Sequence, residues 1–255
     1  EQVDMAMLGF SHDTNLRFLL NKKSGAVIAT TDRTGVDQVT LSDRILLIGL
    51  GKEKEFHEKE FGAAVRTAVK TLNETGAFDA SIFLTEIPVR RRSLAWRVRQ
   101  TAMIALDATY RFEQFKSKKN DVRRPLRKLT LGVARRNELA VAEEALAQGL
   151  AIAEGTALTK DLGNLPPNVC HPTYLAGQAQ ALAKEFKLGC EILDRPQMEK
   201  LGMHSALSVG RASYSPCKFI VMKYSKGGSA KPIVLIGKGM TFDTGGVSLK
   251  PGANL

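Results

Sequence analysis

The 255-residue chain is predicted to be α/β, with two α/β domains joined by a long helix and the second domain only begun. Three observations predict this. Between residues 44 and 133, short apolar runs alternate with stretches at helical spacing, giving strand, helix, strand, helix, strand. A single alanine-rich stretch then runs from about Asn137 to Leu162, long enough to bridge two domains. After Pro166-Pro167 the alternation of helix and strand patterns resumes. The length itself suits one large domain or two ordinary ones.

Residues 1–43 carry the weakest pattern. Leu16 to Leu20 fits helix or strand, and Ala26 to Thr30 fits a short strand. Arg44 to Ile48 is an apolar run stopped by Gly49, the pattern of a buried strand in a parallel sheet. Phe56 to Leu72 places Phe61, Ala64, Val65, Ala68, Val69 and Leu72 on one helical face, with Gly76 as the stop. Ala80 to Leu84 reads as a strand, Leu94 to Tyr110 as a helix and Lys128 to Val133 as a strand. The long helix takes Asn137 as its N-cap and ends at Gly163-Asn164. Beyond it a helix is expected over Thr173 to Phe186 and a strand over Cys190 to Leu193. A short helix over Gln197 to Leu201 and strands over Phe219 to Tyr224 and Ile233 to Ile236 follow. The expected division is an N-terminal α/β domain at 1–136, a connecting helix and linker at 137–170, and the start of a second domain at 171–255.

Composition narrows the class. A hydrophobic content of 44% is enough for a core, and no run of about 18 apolar residues exists, so no membrane is expected as partner. Glu1 to Phe10 lacks the basic and apolar regions of a secretory leader. Cys170, Cys190 and Cys217 are sparse and unevenly spaced, which argues against a disulfide framework and for a reducing cytoplasm. The net charge of +11 is the unusual bulk feature. It is concentrated at Arg90, Arg91, Arg92, Arg97 and Arg99, then at Lys116, Lys118, Lys119, Arg123, Arg124, Arg127 and Lys128. Solubility accounts for such charge. DNA is the alternative partner, with Arg90, Arg91, Arg92, Lys118, Lys119, Arg123 and Arg124 as the contacts, although no aromatic ladder accompanies them to stack bases.

Several motifs are excluded. Gly49-Leu50-Gly51-Lys52 has Glu53 where a phosphate loop needs Ser or Thr, and Gly237-Lys238-Gly239 has the same fault. Lys54 and Phe242 occupy the third-glycine positions of a dinucleotide fingerprint. His12, His57, His171 and His204 make no zinc-ligand spacing, and no Gly-x-Ser-x-Gly elbow exists.

The segment with chemical content runs from Pro232 to Asn254, P-I-V-L-I-G-K-G-M-T-F-D-T-G-G-V-S-L-K-P-G-A-N. An apolar run is followed at once by Lys238, Asp243 and Lys250, and the C-terminal rim of an open α/β sheet is where ligands bind. Gly245-Gly246 frees the backbone to fold closely. From charge and spacing alone, two solvated lysines and a turn-capping aspartate are the simpler explanation.

The full string closely resembles the signature stretch of the leucyl aminopeptidases, a two-metal exopeptidase family. Lys160-Asp161-Leu162-Gly163-Asn164-Leu165-Pro166-Pro167-Asn168 is similar to that family's domain-connecting segment. Leu201-Gly202-Met203-His204 through Val209-Gly210 and Phe219-Ile220-Val221 follow in family order. Arg44 to Lys52 and the stretch from Arg123 resemble its bacterial branch more loosely, and residues 1–43 do not clearly match. The resemblance implies that Lys238 ligates one metal, Asp243 bridges two, and Lys250 is a catalytic lysine outside the ligand set. It implies two divalent ions (manganese, zinc or magnesium), peptide substrates with leucine-like N-terminal residues, a cytoplasmic homohexamer, and bicarbonate as the general base. It also implies a second aspartate beyond Lys250-Pro251 and a later Asp-x-Glu-x-Arg cluster. Neither lies within these 255 residues, so about half of the site is expected here.

Overall fold

A computed structural model of the chain describes residues 15–21, 26–32, 42–117 and 126–252. The chain divides into two compact units, Glu1–Leu158 and Thr159–Leu255. Helices and small sheets mix in both, so the class is α/β. Among the described residues no helix is long and apolar enough to cross a membrane.

In the first unit, β1 (Asn15–Asn21), β2 (Ala26–Asp32) and β3 (Ser42–Ile48) form an antiparallel meander. Asn15 faces Asp32, and Ala26 faces Ile48. The parallel pairing expected for Arg44 to Ile48 is therefore not found. A parallel neighbour needs a crossover of a dozen or more residues, whereas antiparallel strands close through short links. The nine residues between β2 and β3 are too few for such a crossover, and the two strands pair antiparallel. A parallel pair does form between β4 (Asp79–Ile82) and β5 (Lys128–Leu131).

Helix α1 (Glu58–Glu74) starts at a capping box in which the His57 N–H donates to Glu60 Oε2 at 3.1 Å. Its buried face is Phe61, Ala64, Val65, Ala68 and Val69, the spacing of one helical stripe. Helix α2 (Leu94–Thr109) begins at Ser93, whose hydroxyl accepts from the Trp96 N–H at 3.2 Å. Phe61, Val65 and Val69 are wholly buried with Phe56 and Val89, and Trp96, Ile104 and Leu129 pack around them. A second cluster joins Val98 of α2 to Ala142 and Ala145 of α3 (Leu139–Asn164). Gly149 lets these helices approach. A Cβ there would lie 2.8 Å from the Arg99 carbonyl oxygen and 2.9 Å from Ala102 Cβ. Asn137 does not cap α3, because it lies inside a 3-10 turn, Arg136–Glu138, held at its start by the Arg135 N–H donating to Glu138 Oε2 at 3.1 Å. The division between the two units falls within α3.

The second unit carries α4 (Pro172–Phe186), α5 (Arg195–Lys200) and α6 (His204–Val209) with the antiparallel pair β6 (Gly189–Leu193) and β7 (Phe219–Lys223). The His171 ring nitrogen caps α4 and Pro172 opens it, while Lys187 at φ 54° ends it. Ala176, Ala179 and Ala183 form the buried stripe of α4, and Met198 is the most buried large side chain of this unit. Cys170, Cys190 and Cys217 are all free. The strand expected at Ile233 to Ile236 is absent: those four side chains are 90, 73, 92 and 93% exposed. A buried strand exists only where neighbours take its hydrogen bonds, and none among the described residues pairs with this run.

Candidate functional site

The three residues singled out near the end of the sequence fall in one irregular segment of the second unit, and two of them are brought together. Lys250 Nζ lies 2.9 Å from Asp243 Oδ2 and also donates to the Asp243 carbonyl oxygen at 3.1 Å. The Gly245 N–H donates to Asp243 Oδ1 at 2.9 Å, so both carboxylate oxygens are engaged. A small hairpin closes the loop. The Lys250 N–H donates to the Thr244 carbonyl at 2.8 Å, the Gly246 N–H to that of Ser248 at 3.2 Å, and Gly245 bridges Leu249 antiparallel.

Electrostatics follow from this geometry. The hydrogen bond from Lys250 is the main cause holding the Asp243 carboxyl below its usual range, and the Gly245 N–H adds to it. The charges of Lys250 and Lys238 contribute more weakly. Lys238 therefore lies near enough to act on Asp243, though without a hydrogen bond among the described residues. The side chains of Lys250 and Asp243 are 43 and 41% exposed, so the pair itself adds little stability. The backbone bonds hold the turn, and the ion pair reports its shape.

The donor set suits a divalent cation as far as it goes. Asp243 supplies a hard anionic oxygen kept ionised by its neighbours, and Lys238 could ligate only as a neutral amine. Among the described residues no group of three or more His, Cys, Asp or Glu side chains converges. Two donors and one cation make part of a metal site. Sequence reasoning did not separate the two glycines of Gly245-Gly246. The signal was the Gly-Gly pair itself, but which of them matters depends on the fold of the turn.

Several basic residues of the first unit are engaged within the fold. Arg92 Nε donates to Glu58 Oε1 at 2.8 Å and its guanidinium lies 5.2 Å from the Trp96 ring centre. Arg97 donates to the carbonyls of Thr85 at 2.7 Å and Arg92 at 3.2 Å, and Arg99 donates to Gln148 at 2.9 Å. Arg127 stacks over Phe78 at 5.3 Å. Arg90 and Arg91 are exposed at the tip of the Val89–Arg92 turn. Lys118, Lys119, Arg123, Arg124 and His12 lie outside the described residues.

Comparison with known proteins finds one family in both units, and it reaches residues 22–43, where no clear likeness was read from the residues. The family model for the N-terminal domain of the cytosol aminopeptidase family matches residues 22–119, and that for its catalytic domain matches residues 157–255. A probable cytosol aminopeptidase of Dechloromonas aromatica is 69% identical over 257 residues, spanning 100% of this chain and 51% of that protein. Another from Nitrosomonas europaea is 49% identical over 223 residues, 87% of this chain and 44% of that protein. Among solved structures, the bottromycin maturation enzyme BotP in complex with Mn superposes with a TM-score of 0.67 at 28% identity. That match covers 82% of this chain and 42% of that one. The fold and the loop thus define a chain with a peptidase N-terminal domain followed by catalytic-domain sequence. It belongs to the cytosol aminopeptidase family, and it spans about half the length of the curated relatives it matches.

Proposed function

We propose that the protein containing this chain is a metal-dependent aminopeptidase that releases N-terminal residues, leucine-like ones by preference, from peptides. The observation that carries the reading is the closed Asp243–Lys250 turn, lying inside the segment that matches the family's catalytic domain. Asp243 and Lys238 would hold the ions, Asp243 between two and Lys238 on one. Two divalent ions, when bound, would supply an activated water and polarisation of the scissile carbonyl. Lys250 is the residue whose chemistry is its own. As a cation outside the ligand set, it would stabilise the oxyanion that develops on the substrate carbonyl. The backbone of the turn brings its Nζ against Asp243, so this charge is placed before substrate arrives. Manganese is the first ion to try, because BotP was solved in complex with Mn. A cytoplasmic homohexamer with bicarbonate as base belongs to the same reading, supported by the family resemblance.

The test is release of leucine from leucine p-nitroanilide by the complete polypeptide loaded with Mn²⁺ or Zn²⁺, beside Lys250→Ala. The substitution is expected to lower kcat by about 10²–10³, the usual loss when one oxyanion-stabilising group is removed. No release by the metal-loaded wild type would sink the reading. The alternative, DNA binding through the exposed Arg90 and Arg91, predicts the opposite pattern: binding that weakens steeply with salt and survives Lys250→Ala.

A further inference from the structure

We propose that Gly245 is the residue that positions Asp243 and Lys250 against each other, and that its neighbour Gly246 is dispensable. The inference deepens the aminopeptidase reading of this site and rests on it for its metal-binding and kinetic arms.

Gly245 acts in two ways. Its N–H donates to Asp243 Oδ1 at 2.9 Å, which turns the carboxylate so that Oδ2 meets Lys250 Nζ at 2.9 Å. Its backbone stands at φ +94°, in the left-handed region that side-chain-bearing residues avoid. A Cβ built there would lie 2.4 Å from the Ser248 carbonyl oxygen, 3.0 Å from the Lys250 nitrogen and 3.3 Å from Leu249 Cα. All three are backbone atoms of the returning strand, so no side chain can swing aside to make room. The turn would have to open instead. Opening it breaks the Gly245–Leu249 bridge and the bond from the Lys250 N–H to the Thr244 carbonyl, which bring Lys250 back over Asp243.

Gly246 meets none of these conditions. It is not among the glycines at positive φ, and a Cβ built on it has nothing within 4 Å. The exposed ion pair cannot replace the turn, since a long lysine side chain loses as much entropy as such a pair gains in energy. Two adjacent, chemically identical residues should therefore respond oppositely to the same added methyl group.

The experiment uses the complete polypeptide as wild type, Gly245→Ala and Gly246→Ala. Three quantities are read: Mn²⁺ affinity from the paramagnetic resonance signal of the free ion, kcat and KM on leucine p-nitroanilide, and backbone amide exchange across residues 243–250. Gly245→Ala is expected to fold with an unchanged thermal midpoint, to lose about tenfold or more in Mn²⁺ affinity, and to lose about 100-fold in kcat with little change in KM. Gly246→Ala should stay within about twofold of wild type, the span left to a change that disturbs no positioned group. Equal behaviour of the two variants would overturn the proposal. The exchange arm keeps it falsifiable even if Gly245→Ala fails to fold. In wild type, the amides of Gly245 and Lys250 should be protected and those of Val247 and Leu249 should not, and equal exchange at all four would also overturn it. A wild type that binds no Mn²⁺ and releases no leucine, yet shows that protection pattern, defeats the aminopeptidase reading and leaves the positioning role of Gly245 standing.

Discussion

Among the described residues, two tight turns carry an isolated antiparallel bridge, Val89–Arg92 in the first unit and Gly245–Leu249 in the second. The first is dense in arginine and the second is flanked by Asp243 and Lys250, and both contain a residue in the left-handed region, Arg91 at φ 59° and Gly245 at φ 94°. They differ in what holds them. Val89 is 3% exposed and belongs to the core of Phe56, Phe61, Val65 and Val69. Arg92 is fastened from outside by Glu58 and Trp96, and its carbonyl receives Arg97. The second turn has no core beneath it: Val247 is fully exposed and Leu249 is 75% exposed. A strained backbone persists where its surroundings over-determine it. In the first turn those surroundings are packed side chains, and an arginine can occupy the strained position. In the second they are the turn's own backbone, and only glycine fits.

Removing the platform under the first turn should have the largest effect. Phe61 is wholly buried, 5.6 Å from the Trp96 ring and 6.3 Å from Phe56. Phe61→Ala is expected to cost about 3–5 kcal/mol of stability, the usual loss for a core aromatic, read from denaturant unfolding of the first unit. A cost below about 1 kcal/mol would mean that the site collapses around the cavity, and the contrast between packed and unpacked turns would fail.

A smaller effect separates the two carboxylates beside the turns. Glu58 and Asp243 are both held below the usual range, but by different leading causes. For Glu58 the largest is its own backbone N–H at the start of α1, with Arg92 second. For Asp243 the largest is the side chain of Lys250. Lys250→Ala should therefore raise the titration midpoint of Asp243 further than Arg92→Ala raises that of Glu58, measured by carbon-detected NMR. In both cases the folded pKa is depressed. The contribution to stability is thus complete above the ordinary carboxyl value and is lost as pH falls through the lower, folded one. Each single substitution should flatten that acid-side loss, and Lys250→Ala the more. A larger shift at Glu58 would reverse the assignment of causes.

The same contrast explains what could be read before the structure. Helix α1 was legible because Phe61, Val65 and Val69 repeat at helical spacing and each meets the core. Ile233 to Ile236 was legible as an apolar run that calls for burial, but an apolar run does not say which strands cover it, and here none among the described residues does. Helix α6 (His204–Val209) escaped notice because six residues are too few to establish a period and, unlike the equally short α5 opened by Asp194 and Pro196, it has no capping side chain to mark its start. Asn137 was a sound cap by residue type and lost to the turn that the Arg135 N–H closes on Glu138. At the site, the residue types of Lys238, Asp243 and Lys250 marked a charged loop. The clasp between Asp243 and Lys250 was illegible because it depends on one φ angle and on the position of the Ser248 carbonyl. Pattern reveals which side chains need partners, and closure of a short turn is a property of backbone geometry that side-chain pattern does not encode.

The smallest expected effect comes from moving glycine into the first turn. Arg91 is exposed, makes no hydrogen bond or ion pair among the described residues, and sits at φ 59°. Arg91→Gly removes a left-handed strain of about 1 kcal/mol and adds unfolded-state entropy of about 0.4–1 kcal/mol. The two nearly cancel, so the thermal midpoint should shift by no more than about 3 °C in either direction. Such neutrality would show that the packed core, with Val89 and Arg92 as its anchors, sets the shape of this turn whatever residue stands at its tip. A fall of more than about 5 °C, beyond what those opposing terms allow, would mean that the Arg91 side chain holds the turn. The two turns would then be alike in depending on the residue at their strained position, and the distinction between them would be lost.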